Sequence, residues 1–336
     1  MEYSKEIDSI TKDQRYLIDY ANIKSGLVEN QNNFPNYEQF KNFLNNPGLG
    51  LPLVLPLKVK CFDYSLAKDT YKVSADDISN KLFGTFNLNY LGVNTFLNYG
   101  NSFCTDAKPK KEYNHIVNIV TKFNGILKSK INEIKKQGKT VGAFQTRNIP
   151  HLGHEKIIEK LLEHCDHVII NPVIGPKKKG DLKNNILELA YKFLSKNFYK
   201  NRITYLPICA NMFYAGPREA IHHSLLRKNS GFTYFIVGRD HAGADNIYDP
   251  DEAPKMVKFY EKEIGIRVIT HQGSYFHKIK KKIIIKNNND KASDLENISG
   301  SEFRKHLKNK TFYKYARYEL QEYLYTLSDN YFIEYQ

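Results

Sequence analysis

The stretch KTVGAFQTRNIPHLGHEKIIEKLLEHC (139–165) decides the fold. KTVGAF (139–144) has the length and apolar character of a buried strand, and HEKIIEKLLEHC (154–165) is amphipathic at helical spacing. A polar loop separates them. Working outward, the same rhythm repeats. HVIINPVI (167–174), ITYLPI (203–208), FTYFIVG (232–238) and IRVITH (266–271) read as strands. NNILELAYKFLSKNF (184–198), PREAIHHSLLRKN (217–229) and PKMVKFYEKEI (254–264) read as helices. Strand and helix in alternation predict a parallel sheet with helices on both faces.

The flanks read differently. LPLVLPLKVKCFDY (51–64) predicts strand–turn–strand, and Val73 and KLFGTFNL (81–88) add β-like segments. IVNIVTKFNGILKSKINEIKKQ (116–137) is a helical pattern. The division expected is a small β-rich domain over 1–127, an α/β domain over 128–272, and a C-terminal subdomain over 273–336. Within the last, KIKKKIIIKNNNDKASD (278–294) reads as a hairpin or exposed loop, and the final 40 or so residues read as helices.

The 336 residues carry Lys+Arg 50 against Asp+Glu 36, a net charge of +14. That balance excludes an acidic disordered chain and admits nucleic acid, an anionic membrane surface or small anions as partners. Only nine of the basic residues are Arg, at 15, 147, 202, 218, 227, 239, 267, 304 and 317. The Lys background is diffuse, so each Arg, with its fork matched to phosphate and sulfate, carries more information. Four Cys, at 61, 104, 165 and 209, have no paired spacing. This argues against a disulfide framework and against a Cys zinc site. The charged N-terminus does not read as a signal peptide and no apolar run reaches the length of a membrane span, so a cytoplasmic location is expected.

In open α/β sheets ligands bind beyond the carboxyl ends of the strands, and the segments there are polar. Gln145, Thr146, Arg147 and Asn148 follow the first strand. His151 and His154, spaced i, i+3, share one face of the first helical turn, and Gly153 allows close backbone approach. A helix N-terminus offers N–H groups and a positive dipole end to phosphate. HLGH in this context fits the HxGH signature of nucleotidylyltransferases. GPKKKGD (175–181) follows the second strand. YAGPREAIHHSLLRKN (214–229) follows the third and brings Arg218, Glu219, His222 and Arg227. GRDHAG (238–243), with Arg239 and His241, follows the fourth. NISGSEFRKHL (297–307) has a capping-box pattern, Ser299 with Glu302, and Arg304 beside it. Five of the nine Arg (147, 218, 227, 239, 304) fall in these segments.

QTRNIPHLGHE, NPVIGPKKKGD, YAGPREAIHHSLLRKNSGFTYFIVGRDHAG and ISGSEFRKHL, in this order and spacing, resemble the sulfate adenylyltransferase (ATP sulfurylase) family. The likeness is firm from about Thr140 to Leu307. LFGTFNLNYLGV (82–93) is similar to the family's PUA-like first domain. The resemblance implies a Rossmann-like HxGH nucleotidylyltransferase domain after a small PUA-like β-rich domain, with a short C-terminal helical subdomain. It implies condensation of ATP and sulfate to adenosine 5′-phosphosulfate and pyrophosphate, by in-line attack on the α-phosphorus. Sulfate would be bound by Gln145, Arg147 and the backbone at Ala242, and the active-site triple would be Thr146, Arg147 and Asn148. His151 and His154 would bind the phosphates and stabilise the transition state. Gln145, Asn148, Gly238, Arg239, Asp240 and His241 would contact ATP. Mg²⁺ would arrive with ATP, no protein-bound zinc is expected, and a homo-oligomer is implied.

Four departures stand out. Ile149 occupies the position after Asn148 where the family has Pro. HAGADN replaces the family's usual continuation. SYFHKIKKKIIIKNNN stands where many relatives carry a Cys-rich zinc segment. No GxxxxGK[ST] string is present, so a fused phosphosulfate kinase is not expected. Two other readings compete: a different HxGH adenylyltransferase, and a basic RNA-binding protein. The Gln-Thr-Arg-Asn and Gly-Arg-Asp-His strings weigh against the first. The lack of an aromatic–basic RNA motif weighs against the second, so neither nucleic acid nor membrane is expected as a partner.

Overall fold

The structure, a computed structural model, describes residues 6–28, 31–45, 50–176, 180–241, 245–327 and 330–333. Helices α1 (Arg15–Lys24), α2 (Tyr37–Asn45) and α3 (Leu91–Phe96) dominate the N-terminal part. Its strands are only two or three residues long: β1 (Leu55–Pro56), β2 (Phe62–Asp63), β3 (Thr70–Lys72), β4 (Ser102–Cys104) and β5 (Lys108–Pro109). The 51–64 stretch is strand–turn–strand as expected, but its two strands do not pair with each other: β1 pairs with β4 and β2 with β5. KLFGTFNL, expected to be β-like, is not a strand. Ile78–Leu82 is a π-helical turn, Gly84 lies at φ +63°, and the Ser79 hydroxyl donates to the Thr85 carbonyl. The apolar residues there, Leu82 and Phe83, serve a mixed core that includes Phe40 and Phe96 from helices and Phe103 from β4.

Helix α4 (Asn114–Lys136) leads into the α/β part. Its first half places Ile116, Val120 and Phe123 in the N-terminal core, and its second half places Leu127, Ile131 and Ile134 under the main sheet. The 127/128 boundary therefore falls inside one continuous helix. The elements that follow are β6 (Val141–Phe144), α5 (Leu152–Leu162), β7 (His167–Ile170), β8 (Val173–Ile174), α6 (Asn184–Phe198), β9 (Ile203–Tyr205) and β10 (Ile208–Cys209). Then come α7 (Pro217–Ser230), β11 (Tyr234–Val237), α8 (Glu252–Phe259), α9 (Glu261–Ile264) and β12 (Arg267–Thr270).

The main sheet has five strands in the order β12-β11-β6-β7-β9, all parallel. Side chains alternate between its faces. Phe144, Val168, Ile170 and Ile236 pack with α5 and α6, while Val141, Ala143, Ile169, Phe235 and Val237 pack with α4, α7 and α8. The chain winds one way from β6 to β9, then returns to the other side of β6 as β11. The loops after β6 and β11 therefore lie side by side at a topological switch point, where such sheets form a crevice.

Two short parallel strands, β8 and β10, extend the sheet toward the N-terminal part. Asn22 and Asn124 both donate to the Cys209 carbonyl, and Cys209 N–H donates back to Asn124 at 2.8 Å. These buried amides fix α1 and α4 against the sheet extension. At the other end, β13 (Ser274–His277), β14 (Lys282–Ile285) and β15 (Leu295–Asn297) form an antiparallel sheet, whose 274–285 hairpin starts before the expected 278–294 segment and takes in only its first part. Helices α10 (Gly300–Lys308) and α11 (Tyr318–Leu327) complete the described chain. No helix among the described residues is long and apolar enough to cross a membrane.

Candidate active site at the switch point

Strand β6 ends at Phe144, and the loop after it delivers Gln145 to Asn148. Thr146 is buried; its hydroxyl oxygen accepts the Asn148 N–H at 3.2 Å and lies 3.4 Å from His154 Nε2. Asn148 is half-buried, and its carbonyl accepts from the Tyr191 hydroxyl. Ile149 sends its side chain into the core beneath α5 and α6 and so anchors the loop by burial. Arg147 is exposed at the crevice, and Gln145 is half-buried with its Oε1 lacking a partner among the described residues.

His151 is the N-cap of α5. Its Nδ1 accepts the His154 N–H at 3.3 Å, and His154 Nδ1 accepts the His151 N–H at 3.3 Å. This is a capping box built from two imidazoles instead of Ser/Thr and Glu/Gln. The rings stack with centroids 3.8 Å apart. A ring nitrogen that accepts an N–H carries no proton, so each neutral ring carries its proton on Nε2. Burial lowers the His151 pKa to about 4. Burial, then the nearby His151 and His271, lowers that of His154 well below its ordinary value. Both are neutral Nε2–H donors at pH 7. The Leu152 N–H is satisfied by the Tyr315 carbonyl at 2.8 Å, so the C-terminal subdomain holds the start of this helix.

Beyond β11, Gly238 lies against His271: a Cβ there would sit 2.6 Å from His271 Nε2. Arg239 Nε is 3.0 Å from Asp251 Oδ1, and its Nη1 donates to the Tyr275 hydroxyl at 3.4 Å. Asp240 is exposed at φ +51°. His241 Nε2 lies 3.0 Å from His223 Nδ1. Ala242 and Lys177–Lys179 lie outside the described residues.

The ISGSEFR segment reaches the same crevice. Ser299 caps α10 by accepting the Glu302 N–H, but Ser299 N–H donates to the Tyr313 hydroxyl, so the expected box closes on one side only. Gly300 touches Asn148: a Cβ there would be 3.0 Å from Asn148 Cγ. The hairpin also contributes, since a Cβ on Gly153 would meet Ser274 Oγ at 2.5 Å.

The five singled-out Arg separate by role. Arg147 is exposed at the crevice, and Arg239 is partly engaged by Asp251. Arg218 is buried and donates to the Lys81 carbonyl at 2.9 Å, tying α7 to the N-terminal part. Arg304 Nε reaches the Gly300 carbonyl of its own helix. Arg227 is fully buried beneath the crevice. Several residues escaped the sequence reading as parts of this site: Asn171, His223, His271, Tyr275 and Arg317. For His223 a signal existed, since Glu219, His223 and Arg227 recur every four residues on one face of α7. Asn171 opens the quoted NPVIGPKKKGD string without having been singled out in it, and His271, Tyr275 and Arg317 come from distant elements with no local signature. Among the described residues, no group of three or more His, Cys, Asp or Glu could hold a metal ion.

Residues 128–313 match the family model ATP-sulfurylase. The chain is 33% identical over 285 residues to a sulfate adenylyltransferase of Thermococcus onnurineus, covering 78% of this chain and 74% of that one. It is 34% identical over 271 residues to one of Pyrococcus abyssi, covering 74% and 71%. Among solved structures it is similar in fold to a hexameric APS kinase from Thiobacillus denitrificans, with a TM-score of 0.60 and 12% identity. That match covers 94% of this chain and 62% of the other.

Proposed function

The chain belongs to the ATP-sulfurylase family, and from that premise we propose that it joins ATP and sulfate into adenosine 5′-phosphosulfate, releasing pyrophosphate. The observation that carries the reading is the doubly capped histidine pair beside the Gln145–Asn148 loop at the switch point. A sulfate oxygen is already deprotonated at neutral pH, so the reaction needs no general base. It needs two mutually repelling anions held in line and charge stabilised as pyrophosphate leaves.

The residues suit those tasks. Arg147, exposed at the crevice, and the Gln145 amide hold sulfate, together with the backbone at Ala242. The Nε2–H groups of His151 and His154 donate to phosphate oxygens, and the first turn of α5 adds its dipole and the Gly153 N–H. Being neutral, the pair gives up no proton that the reaction must recover. Thr146 and Asn148 fix the loop against His154, and Gly238, Arg239, Asp240 and His241 face the nucleotide. Mg²⁺ enters as part of the ATP substrate. The chemistry proceeds without a covalent intermediate: all four Cys are buried, and burial raises the pKa of each thiol.

In this reading the α/β part is an HxGH nucleotidylyltransferase domain, and the region before α4 is its PUA-like companion. The enzyme works in the cytoplasm as a homo-oligomer, an expectation that light scattering on purified protein checks. The deciding experiment is paired. Purified protein releases pyrophosphate from ATP with sulfate or molybdate, and forms ATP from adenosine 5′-phosphosulfate and pyrophosphate. Failure in both directions overturns the proposal, and turnover with a phosphorylated small molecule instead would favour another adenylyltransferase.

A further inference from the structure

Arg227 has no accessible surface. Its Nε donates to Asn171 Oδ1 and its Nη2 to the Asn171 carbonyl, both at 2.9 Å, and its Nη1 reaches the His223 carbonyl at 3.4 Å. Its guanidinium lies 5.1 Å from the Phe235 ring centroid. Every one of these partners is neutral, and no carboxylate of the described residues pairs with it. Glu219, eight residues earlier on the same helix, is not paired with it and instead lies 3.3 Å from His223 Nε2. That carboxylate accepts the N–H groups of Phe213 and Ala215. A buried cation without a counter-ion is costly to keep, and burial alone lowers the pKa of Arg227 to about 9, which still leaves it charged at neutral pH.

Its neighbours show where that charge acts. The Asn171 N–H donates to the Phe144 carbonyl at 2.8 Å, immediately before Gln145. The Asn171 amide also donates to the Leu206 carbonyl at 2.7 Å, so one residue ties the ends of three strands to Arg227. On the other side, His223 contacts His241. Both imidazoles are driven neutral by burial, with Arg227 adding to the effect, and Arg147 is close enough to bear on His223. Arg227 thus underlies the floor shared by the loops after β6 and β11.

We propose that Arg227 is the buried charge that draws a doubly charged tetrahedral oxyanion into the crevice, acting through the floor it shares with Asn171, His223 and His241, without touching the anion. It is a positioning residue for the reaction proposed above, and the inference rests on that reading. The incoming anion supplies the counter-charge that the fold withholds. A field effect has a signature that a packing role lacks. Coulomb energy scales with ligand charge, so losing the cation weakens a dianion by the square of the factor for a monoanion of the same shape.

The test compares thiosulfate, a dianion, with fluorosulfate, a monoanion, as inhibitors competing with sulfate, with melting temperature recorded for each variant. Arg227→Met is expected to weaken thiosulfate at least ~10-fold and fluorosulfate ~3-fold. Arg227→Lys, which keeps the charge, is expected to keep the wild-type ratio of the two affinities, and it carries the test if the Met variant does not fold. Equal losses for both anions, no loss in Arg227→Met, or a ratio abolished in folded Arg227→Lys would each overturn the inference. Wild-type protein that uses sulfate yet shows any of these results sinks this inference alone. Wild-type protein with no sulfate-dependent turnover and no response to either anion sinks the functional reading with it.

Discussion

His151 and His154 cap each other: each Nδ1 accepts the other's backbone N–H at 3.3 Å, so each ring carries its proton on Nε2, that of His154 facing the Thr146 hydroxyl at 3.4 Å. The arrangement satisfies two helix-end donors and orients two side-chain donors with the same four atoms. Structure and chemistry are therefore coupled in this pair.

Removing either imidazole should cost on both counts. His154→Ala and Arg147→Ala are each expected to lower turnover at least ~100-fold, the size seen when a transition-state donor is lost. His151→Ala should add about 1 kcal/mol of destabilisation from the missing cap, whereas exposed Arg147→Ala should leave stability near wild type. Pyrophosphate release and urea unfolding measure the two effects separately. Normal turnover in His154→Ala or Arg147→Ala would refute the site assignment.

Acid should destabilise the protein through its buried imidazoles. His151 and His271 are lowered to about 4 and His222 to about 3, and His154, His223 and His241 lie well below their ordinary value, all chiefly by burial. Between about pH 6.5 and 4 the unfolded chain binds protons that the fold refuses. The stability that depends on neutral imidazoles is thus complete above pH 6.5 and falls as pH drops toward 4, by on the order of 1 kcal/mol per group at pH 5.5. A melting temperature that does not change from pH 7.5 to 5.5 would contradict this.

The C-terminal subdomain should stabilise the catalytic helix. Arg317 Nε bonds both oxygens of buried Glu155, at 2.9 and 2.7 Å, and its guanidinium lies 3.9 Å from the Phe198 ring centroid. Tyr199 also donates to Glu155. Arg317→Ala leaves that carboxylate buried with the tyrosine alone and should cost ~3 kcal/mol. Urea denaturation reads the loss, and a change under 1 kcal/mol would show that the pair is dispensable.

Lys281→Ser and Lys282→Ser should leave turnover nearly unchanged, because both are exposed on the hairpin. Lys280 differs: its Nζ is 2.7 Å from the buried Asp290 carboxylate. At the base of the same hairpin Tyr275 supports Arg239, so Tyr275→Phe should raise the KM for ATP several-fold. Steady-state kinetics on the three variants distinguish tip from base, and a large loss at Lys281 or Lys282 would mean that the tip closes over the crevice.

Gly216 should tolerate no side chain. It caps α7 at φ +53° and ψ −124°, and a Cβ there would meet the Tyr248 ring at 2.4 Å. Gly216→Ala is expected to cost ~2 kcal/mol or more, from backbone strain and from displacing a ring whose hydroxyl donates to the Phe83 carbonyl. A melting temperature equal to wild type would show that the loop relaxes freely.

What the sequence disclosed follows a physical divide. Period and length are local, so the β6-to-β12 alternation was readable, with α6 placed at its observed ends. The loop after β6 was readable because polar residues at a strand end have few structural uses. KLFGTFNL misled because its apolar residues, on a π-helical turn and the loop after it, pack into a core shared by helices and short strands, where strand-like composition does not require a strand. The imidazole cap was hidden because His is not an ordinary capping residue. Arg317 could not be matched to Glu155 across 162 residues of chain, nor Asn171 to Arg227 across 56, since such pairs exist only once the sheet has formed.

Helix α4 has a consequence for how the molecule comes apart. Because one rigid rod seals both hydrophobic interiors, neither can melt while the other keeps its wall. Heating should give a single calorimetric peak with equal van't Hoff and calorimetric enthalpies. A fragment starting at residue 128 would inherit half a rod and expose the apolar face that the missing turns had covered.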